Sequence, residues 1–328
     1  MESKTTHAPS PAERRTVHDL LDIYLQDSVL RPATVADYRN VVLIMLKDCA
    51  DGRDDLDLDL LTHDLMVAWR TKILSRARPT TWNNYRAHIR VLLNYAKEIR
   101  WLSESPLTRV RAAPTPSLKE KTLSQRELRR LLSLLRDDYG QECSVGSALC
   151  PRWFWRIVFR TLYYTGMRRR QLVTLCWRDV DLGAAEIRLR HEGSKTRREW
   201  TIPIPEPLLE DLVKLQERTL EQRGIRDVER LRRNQVFNVT TFYARYKGPE
   251  MTEAQVTGFF KRLTSVSGIE VSAHRMRHTL ATELTRGENR DLKAVQDLLG
   301  HTDIRTTLRY VHTDTAQMRR LFEGLPAL

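Results

Sequence analysis

The chain has 328 residues, which suits two domains of about 100–200 residues each and is too long for one small core. Lys and Arg number 55 against 42 Asp and Glu, a formal net charge of +13 that favours a polyanionic partner. The sequence holds no signal peptide and no run of about 18 apolar residues, so a membrane role is disfavoured and a cytoplasmic, nucleoid-associated protein is expected. Cys49, Cys143, Cys150 and Cys176 show neither CxxC pairing nor zinc-finger histidines, so they read as reduced thiols and no metal or other cofactor is implied.

Residues 1–15 are polar, with Pro9 and Pro11, and read as a disordered start. A helix is expected from Thr16, with Leu20, Leu21, Tyr24 and Leu25 on one face, and a second from Thr34, with Asp37 completing a capping pair. Val35, Tyr38, Val42 and Met45 form the second stripe, and an acidic loop follows over 51–59. A third helix runs from Thr62 through Leu65, Trp69 and Ile73; a fourth, from Thr81, carries Tyr85, Ile89, Leu92, Leu93 and Ala96. Together these make a small helical bundle over 16–110. Arg70, Lys72, Arg86 and Arg90 sit among its exposed basic residues, suited to DNA backbone or to simple solvation. The proline-bearing stretch 111–121 has no periodicity and reads as a linker.

A second domain is expected over 122–328, mainly α with a small β-hairpin. Ser124 and Glu127 make a capping box ahead of Leu128, Leu131 and Leu132. The apolar run Trp153–Tyr164 reads as a buried helix broken at Gly166, after which Arg168, Arg169 and Arg170 follow. An arginine fixed there could grip a phosphate through its planar fork. Period-two alternation of Ile187 and Leu189, then Trp200, Ile202 and Ile204, marks a hairpin whose tip carries Lys195, Arg197 and Arg198. Ser272 is placed to cap a helix with His274, Arg277 and His278 on one face and Met276, Leu280 and Leu284 on the other. Leu292, Val295, Leu298 and Leu299 stripe the next helix, Gly300 ends it, His301 sits in the turn, and Thr302 is placed to cap a last helix before Tyr310.

Taken in order, TGMRRRQL (165–172), SKTRREWTIPI (194–204), HRMRH (274–278), LGH (299–301) and Tyr310 resemble the tyrosine recombinase, or phage integrase, family. The resemblance implies a helical, SAM-like core-binding domain followed by an α+β catalytic domain. It implies Tyr310 as a nucleophile forming a 3′-phosphotyrosyl intermediate, with Arg168 and Arg277 clamping the scissile phosphate. His301 is a third phosphate contact, His274 the base toward Tyr310 and Lys195 the acid for the 5′ oxygen, while His278 reads as structural. The chemistry is coherent without the name: metal-free cleavage of a phosphodiester needs a nucleophile, cations at the phosphate oxygens and a leaving-group acid.

The family usually carries a carboxylate where this chain has Gln171. The short stretch before the bundle suggests a simpler, Xer-like architecture without an additional arm-binding domain. The implied partners are double-stranded DNA bearing a specific recombination site and three further copies of the chain, a tetramer on two duplexes. Segment 314–328, with Met318, Leu321, Phe322 and Leu325 at helical spacing, either docks on a neighbouring protomer or covers its own domain. The competing readings are a type IB topoisomerase-like enzyme and a DNA-binding protein that has lost catalysis.

Overall fold

Capping residues and prolines decide where the helices begin. The computed structural model describes residues 15–115, 122–136, 148–190, 199–286 and 291–311, and the chain divides into two units, 1–118 and 119–328. In the first unit α1 spans Val17–Asp27, its Thr16 cap and Asp19 satisfying each other's backbone N–H groups. Helix α2 spans Pro32–Cys49 and starts two residues before the expected Thr34, because Pro32 arrives with its φ already helical and lacks the N–H that a first turn leaves unused. Helix α3 (His63–Arg76) begins after the Thr62 cap, and α4 (Pro79–Glu98) again begins on a proline, ahead of the expected Thr81.

The core of this unit joins Leu20, Val42, Met45, Met66 and Ile89 to Trp69 and Trp82, whose rings meet edge to face at 5.4 Å. Each such side chain contributes roughly 1.5–3 kcal/mol on burial. After α4 the chain folds back. Leu107 and Val110 enter the core, Asn83 exchanges two hydrogen bonds with Ala113 (2.9 and 2.8 Å), and Arg86 Nε donates to the Val110 carbonyl at 2.6 Å.

In the second unit α5 spans Gln125–Leu134 behind the Ser124–Glu127 capping box, and α6 spans Arg152–Thr165. Helix α6 is its spine, with Phe154, Trp155, Val158, Phe159 and Leu162 all buried. Short helix α7 (Arg169–Thr174) leads into an antiparallel sheet ordered β1 (Val180–Asp181), β2 (Glu186–Leu189), β3 (Trp200–Pro203). Ile187 pairs with Ile202, and Leu189 with Trp200; the hairpin tip, 191–198, lies outside the described residues. Helix α8 (Glu206–Arg223) packs on α6, and α9 (Glu253–Ser267) stacks Phe259 on Trp155 at 4.3 Å.

The last described helices are α10 (Ala273–Leu284), α11 (Leu292–Leu299) and α12 (Ile304–Leu308). Met276 and Leu280 of α10 are buried, whereas Leu284 is 38 % exposed. A four-residue repeat drifts about 40° per step on a helix of 3.6 residues per turn, so the third member has rotated out of the seam. Asp303, not Thr302, caps α12 by accepting from the Arg305 N–H. Cys150 is disulfide-bonded, against the expectation of four reduced thiols, while Cys49 and Cys176 are free; sequence spacing carries no record of which thiols approach in space. Among the described residues no helix is long and apolar enough to cross a membrane. The described residues are mainly helical with one small sheet, as the periodicities predict.

Candidate active site

Two glycines let the site close. Gly166 ends α6 at φ +59°, where a Cβ would lie 2.8 Å from Leu299 Cδ2. Gly300 ends α11 at φ +62°, where a Cβ would lie 2.3 Å from the Trp200 ring. Both positions demand the left-handed region and leave no room for a side chain. The close approach brings the carbonyls of Gly166 and Leu299 onto Arg277, which extends from α10.

Arg277 is 5 % exposed. Its Nη1 donates to the Gly166 carbonyl at 2.6 Å, and its Nη2 to the Leu299 carbonyl at 2.7 Å and to His301 Nε2 at 2.8 Å. A guanidinium is donor only, so His301 Nε2 is the acceptor in that contact and the ring proton sits on Nδ1. Nδ1 in turn donates to the hydroxyl of Thr307, a fully buried residue, at 2.9 Å. Burial first, then Arg277 and Arg168, pushes the His301 pKa down to about 4, so the imidazole is neutral at pH 7. Burial and the neighbouring Arg168 bring Arg277 down to about 10; it stays cationic.

Arg168 leads into α7. Its backbone N–H donates to Gln171 Oε1 at 2.8 Å, which closes the first turn of that helix, and Gln171 is itself buried. Gln171 therefore keeps the hydrogen bond that a carboxylate would make there and supplies no charge. Arg168 Nη1 is buried with no hydrogen-bond acceptor among the described residues. A buried donor without a partner costs about 1–3 kcal/mol, so this nitrogen is poised for an incoming anion. Desolvation lowers the Arg168 pKa.

Tyr310 is 5 % exposed and held from both sides of its backbone: its N–H donates to the Thr307 carbonyl at 3.0 Å, and its carbonyl accepts from the Thr285 hydroxyl at 2.9 Å. Its ring lies 5.2 Å from the His278 ring and 6.2 Å from the His301 ring, nearly parallel to the latter. Ionised Tyr310 would favour the charged form of both Arg168 and Arg277. His278 Nε2 meets His274 Nε2 at 2.5 Å, so one ring donates to the other, and burial followed by Arg277 lowers the His278 pKa.

Arg168, His274, Arg277, His301 and Tyr310 are thus assembled within one chain; Lys195, Arg197 and Arg198 lie outside the described residues. Thr307 and the carbonyls of Gly166 and Leu299 carry no sequence signal, because their roles come from where the turns place them. In the first unit Arg90 is exposed and Arg70 half-buried, Lys72 is set against Asp48 at 3.5 Å, and Arg86 is bonded to Val110.

The phage integrase family model matches residues 121–317. The chain belongs to the phage integrase family. This integrase-family chain is 36 % identical over 313 residues to a candidate tyrosine recombinase XerC of Pseudomonas syringae, covering 93 % of this chain and 63 % of that one. It is 27 % identical to the tyrosine recombinase XerD of Vibrio cholerae, over 96 % of this chain and 97 % of the relative. It thus spans somewhat under two thirds of the first relative's length. Its fold is that of the Tn1549 transposon integrase in complex with transposon right end DNA, at a TM-score of 0.74 and 18 % identity over 94 % of this chain and 99 % of the other. A lambda integrase dimer bound to a COC′ core site superposes with a TM-score of 0.67 at 18 % identity, over 91 % and 96 % of the two chains.

Proposed function

We propose that the chain is a metal-independent, site-specific DNA recombinase that cleaves and rejoins strands through a 3′-phosphotyrosyl intermediate on Tyr310. The observation that carries the reading is the convergence, in a single chain, of the Tyr310 ring with His278 and His301 beside Arg277, an arginine that Arg168 influences electrostatically. The Tyr310 oxygen attacks phosphorus as its proton passes to the His274–His278 pair. The bond from phosphorus to the 5′ oxygen breaks, and that oxygen takes a proton from Lys195. Attack by a 5′ hydroxyl of another strand reverses these steps and returns the phenol, so the ester conserves the bond and no nucleotide cofactor is consumed.

Arg168 and Arg277 hold the non-bridging oxygens, where loss of one such donor costs about 10²–10³ in rate. Arg168 Nη1 can donate to a phosphate oxygen without giving up a bond. Arg277 Nη2 must give up a protein acceptor to do the same, and His301 is the replaceable one. An arriving phosphate raises the proton affinity of His301, which then turns from acceptor of the Arg277 proton into donor to the phosphate.

The expected partners are a duplex bearing a recombination site and a tetramer of this chain, with 16–110 acting as the core-binding domain through Arg70, Lys72, Arg86 and Arg90, and Arg197 and Arg198 acting from the hairpin tip. Of these, Arg90 is exposed and has no ion pair among the described residues, whereas binding through Lys72 or Arg86 competes with Asp48 or the Val110 carbonyl. Replacing Tyr310 with Phe should leave DNA binding in place and abolish the covalent adduct on a nicked suicide duplex. An adduct that persists in this variant disposes of the assignment.

A further inference from the structure

A second cationic feature of the second unit takes no part in the reacting site. Arg178, Arg188, Arg190, Arg230, Arg232 and Arg233 line a groove of ≈ 560 Å³, joined by one carboxylate, Glu229. None of Arg168, His274, Arg277, His301 or Tyr310 lines it. The groove is built on fixed backbone. Arg188 points outward from β2 because its neighbours Ile187 and Leu189 point in. The loop carrying Arg230–Arg233 is tied to the turn carrying Arg178 by Arg178 N–H to the Arg232 carbonyl at 2.9 Å and Trp177 N–H to the Asn234 carbonyl at 3.1 Å.

Three of the six cations have carboxylates: Arg190 is paired with Asp179, Arg188 with Glu199 at 3.0 Å and Arg232 with Glu229 at 3.0 Å. Arg178, Arg230 and Arg233 have no ion pair among the described residues, so three of the six positive charges lack a paired carboxylate there. No aromatic or aliphatic residue lines the groove. It therefore lacks both an aromatic side chain to serve as a base platform and the apolar centre typical of a protein interface, while guanidinium forks match phosphate oxygens.

The geometry points to a second phosphate-binding surface, which holds the backbone of duplex DNA away from the bond being cleaved. The identity of the anion as DNA rests on the recombinase reading. Contact with backbone alone is sequence-independent, so the groove adds affinity and reach along the duplex but not site choice.

The test is a triple variant of the full chain, Arg178→Gln, Arg230→Gln and Arg233→Gln, alongside the same positions changed to Lys. Binding to a random-sequence duplex of about 60 base pairs is followed against salt. Loss of three phosphate contacts should make the slope of log K against log salt shallower by about 2.7, whereas the Lys variant should keep most of it. Adduct formation by the Gln variant, at saturating DNA selected for cleavage, should equal that of the wild type. An unchanged slope overturns the proposal. So does loss of poly-glutamate binding with duplex binding intact, which assigns the groove to an acidic protein segment. A wild-type chain that forms no adduct defeats the recombinase reading separately, since the slope comparison does not depend on cleavage.

Discussion

Thr307 has no contact with the proposed reacting atoms, yet the hydrogen bonds through it decide which nitrogen of His301 carries the proton. Thr307→Val keeps the shape and removes the hydroxyl. His301 Nδ1–H, now 2.9 Å from a methyl group in a site 5 % exposed, loses its acceptor. An unsatisfied buried donor costs about 1–3 kcal/mol, which for a unit of this size lowers Tm by about 2–12 °C. The histidine relieves that cost by moving its proton to Nε2 or rotating, and either change removes the acceptor that Arg277 Nη2 uses at 2.8 Å. Misplacement of a clamping group costs about 10- to 100-fold in rate. The assay is a thermal melt with single-turnover adduct formation at saturating DNA, where the rate should fall and DNA affinity should hold. Thr307→Ser, which restores the acceptor, should recover most of the rate. A Val variant that melts with the wild type and reacts within about twofold of it refutes the tautomer argument.

Gly300→Ala places a methyl against the Trp200 ring at a φ of +62°, and left-handed strain of about 1–2 kcal/mol adds to the clash. A loss of at least about 2 kcal/mol is expected in denaturant unfolding, with the Trp200 Nε1–H to Leu298 carbonyl bond broken and indole fluorescence changed. Stability should fall as pH drops from about 6.5 to 4. Folded His301 titrates at about 4 against 6.5 unfolded, so across that window the unfolded chain binds the extra proton, and the stability present above 6.5 is lost; His301→Asn should flatten this part of the pH profile of unfolding. Asp48→Asn removes the charge facing Arg76 and Lys72, so duplex binding should become tighter and more salt-dependent while the first unit loses about 1–3 kcal/mol. An unchanged affinity would mean that this pair does not meet DNA.

Most of the helix inventory was legible in the chain because capping boxes, apolar stripes and left-handed glycines act over a single turn: Thr16, Thr62, Ser124 and Ser272 cap where their hydroxyls and following residues say they should. Starts were misplaced where a proline at the first helical position outcompeted a plausible polar cap, as at Pro32 and Pro79. The side chains proposed to react were equally local, since the resemblance that points to them is carried by five short segments in order. What the chain alone could not carry is the arrangement that makes them a site. The acceptors on Arg277 are carbonyls from α6 and α11, 111 and 22 residues away, and any residue type presents a carbonyl. Protonation of His301 follows from the same packing, because an imidazole takes its tautomer and proton affinity from whatever donor, hydroxyl and dryness surround it. Local chemistry chose the residues; only the folded packing of α6, α10, α11 and α12 set which of their atoms donate, accept or stand open to an anion.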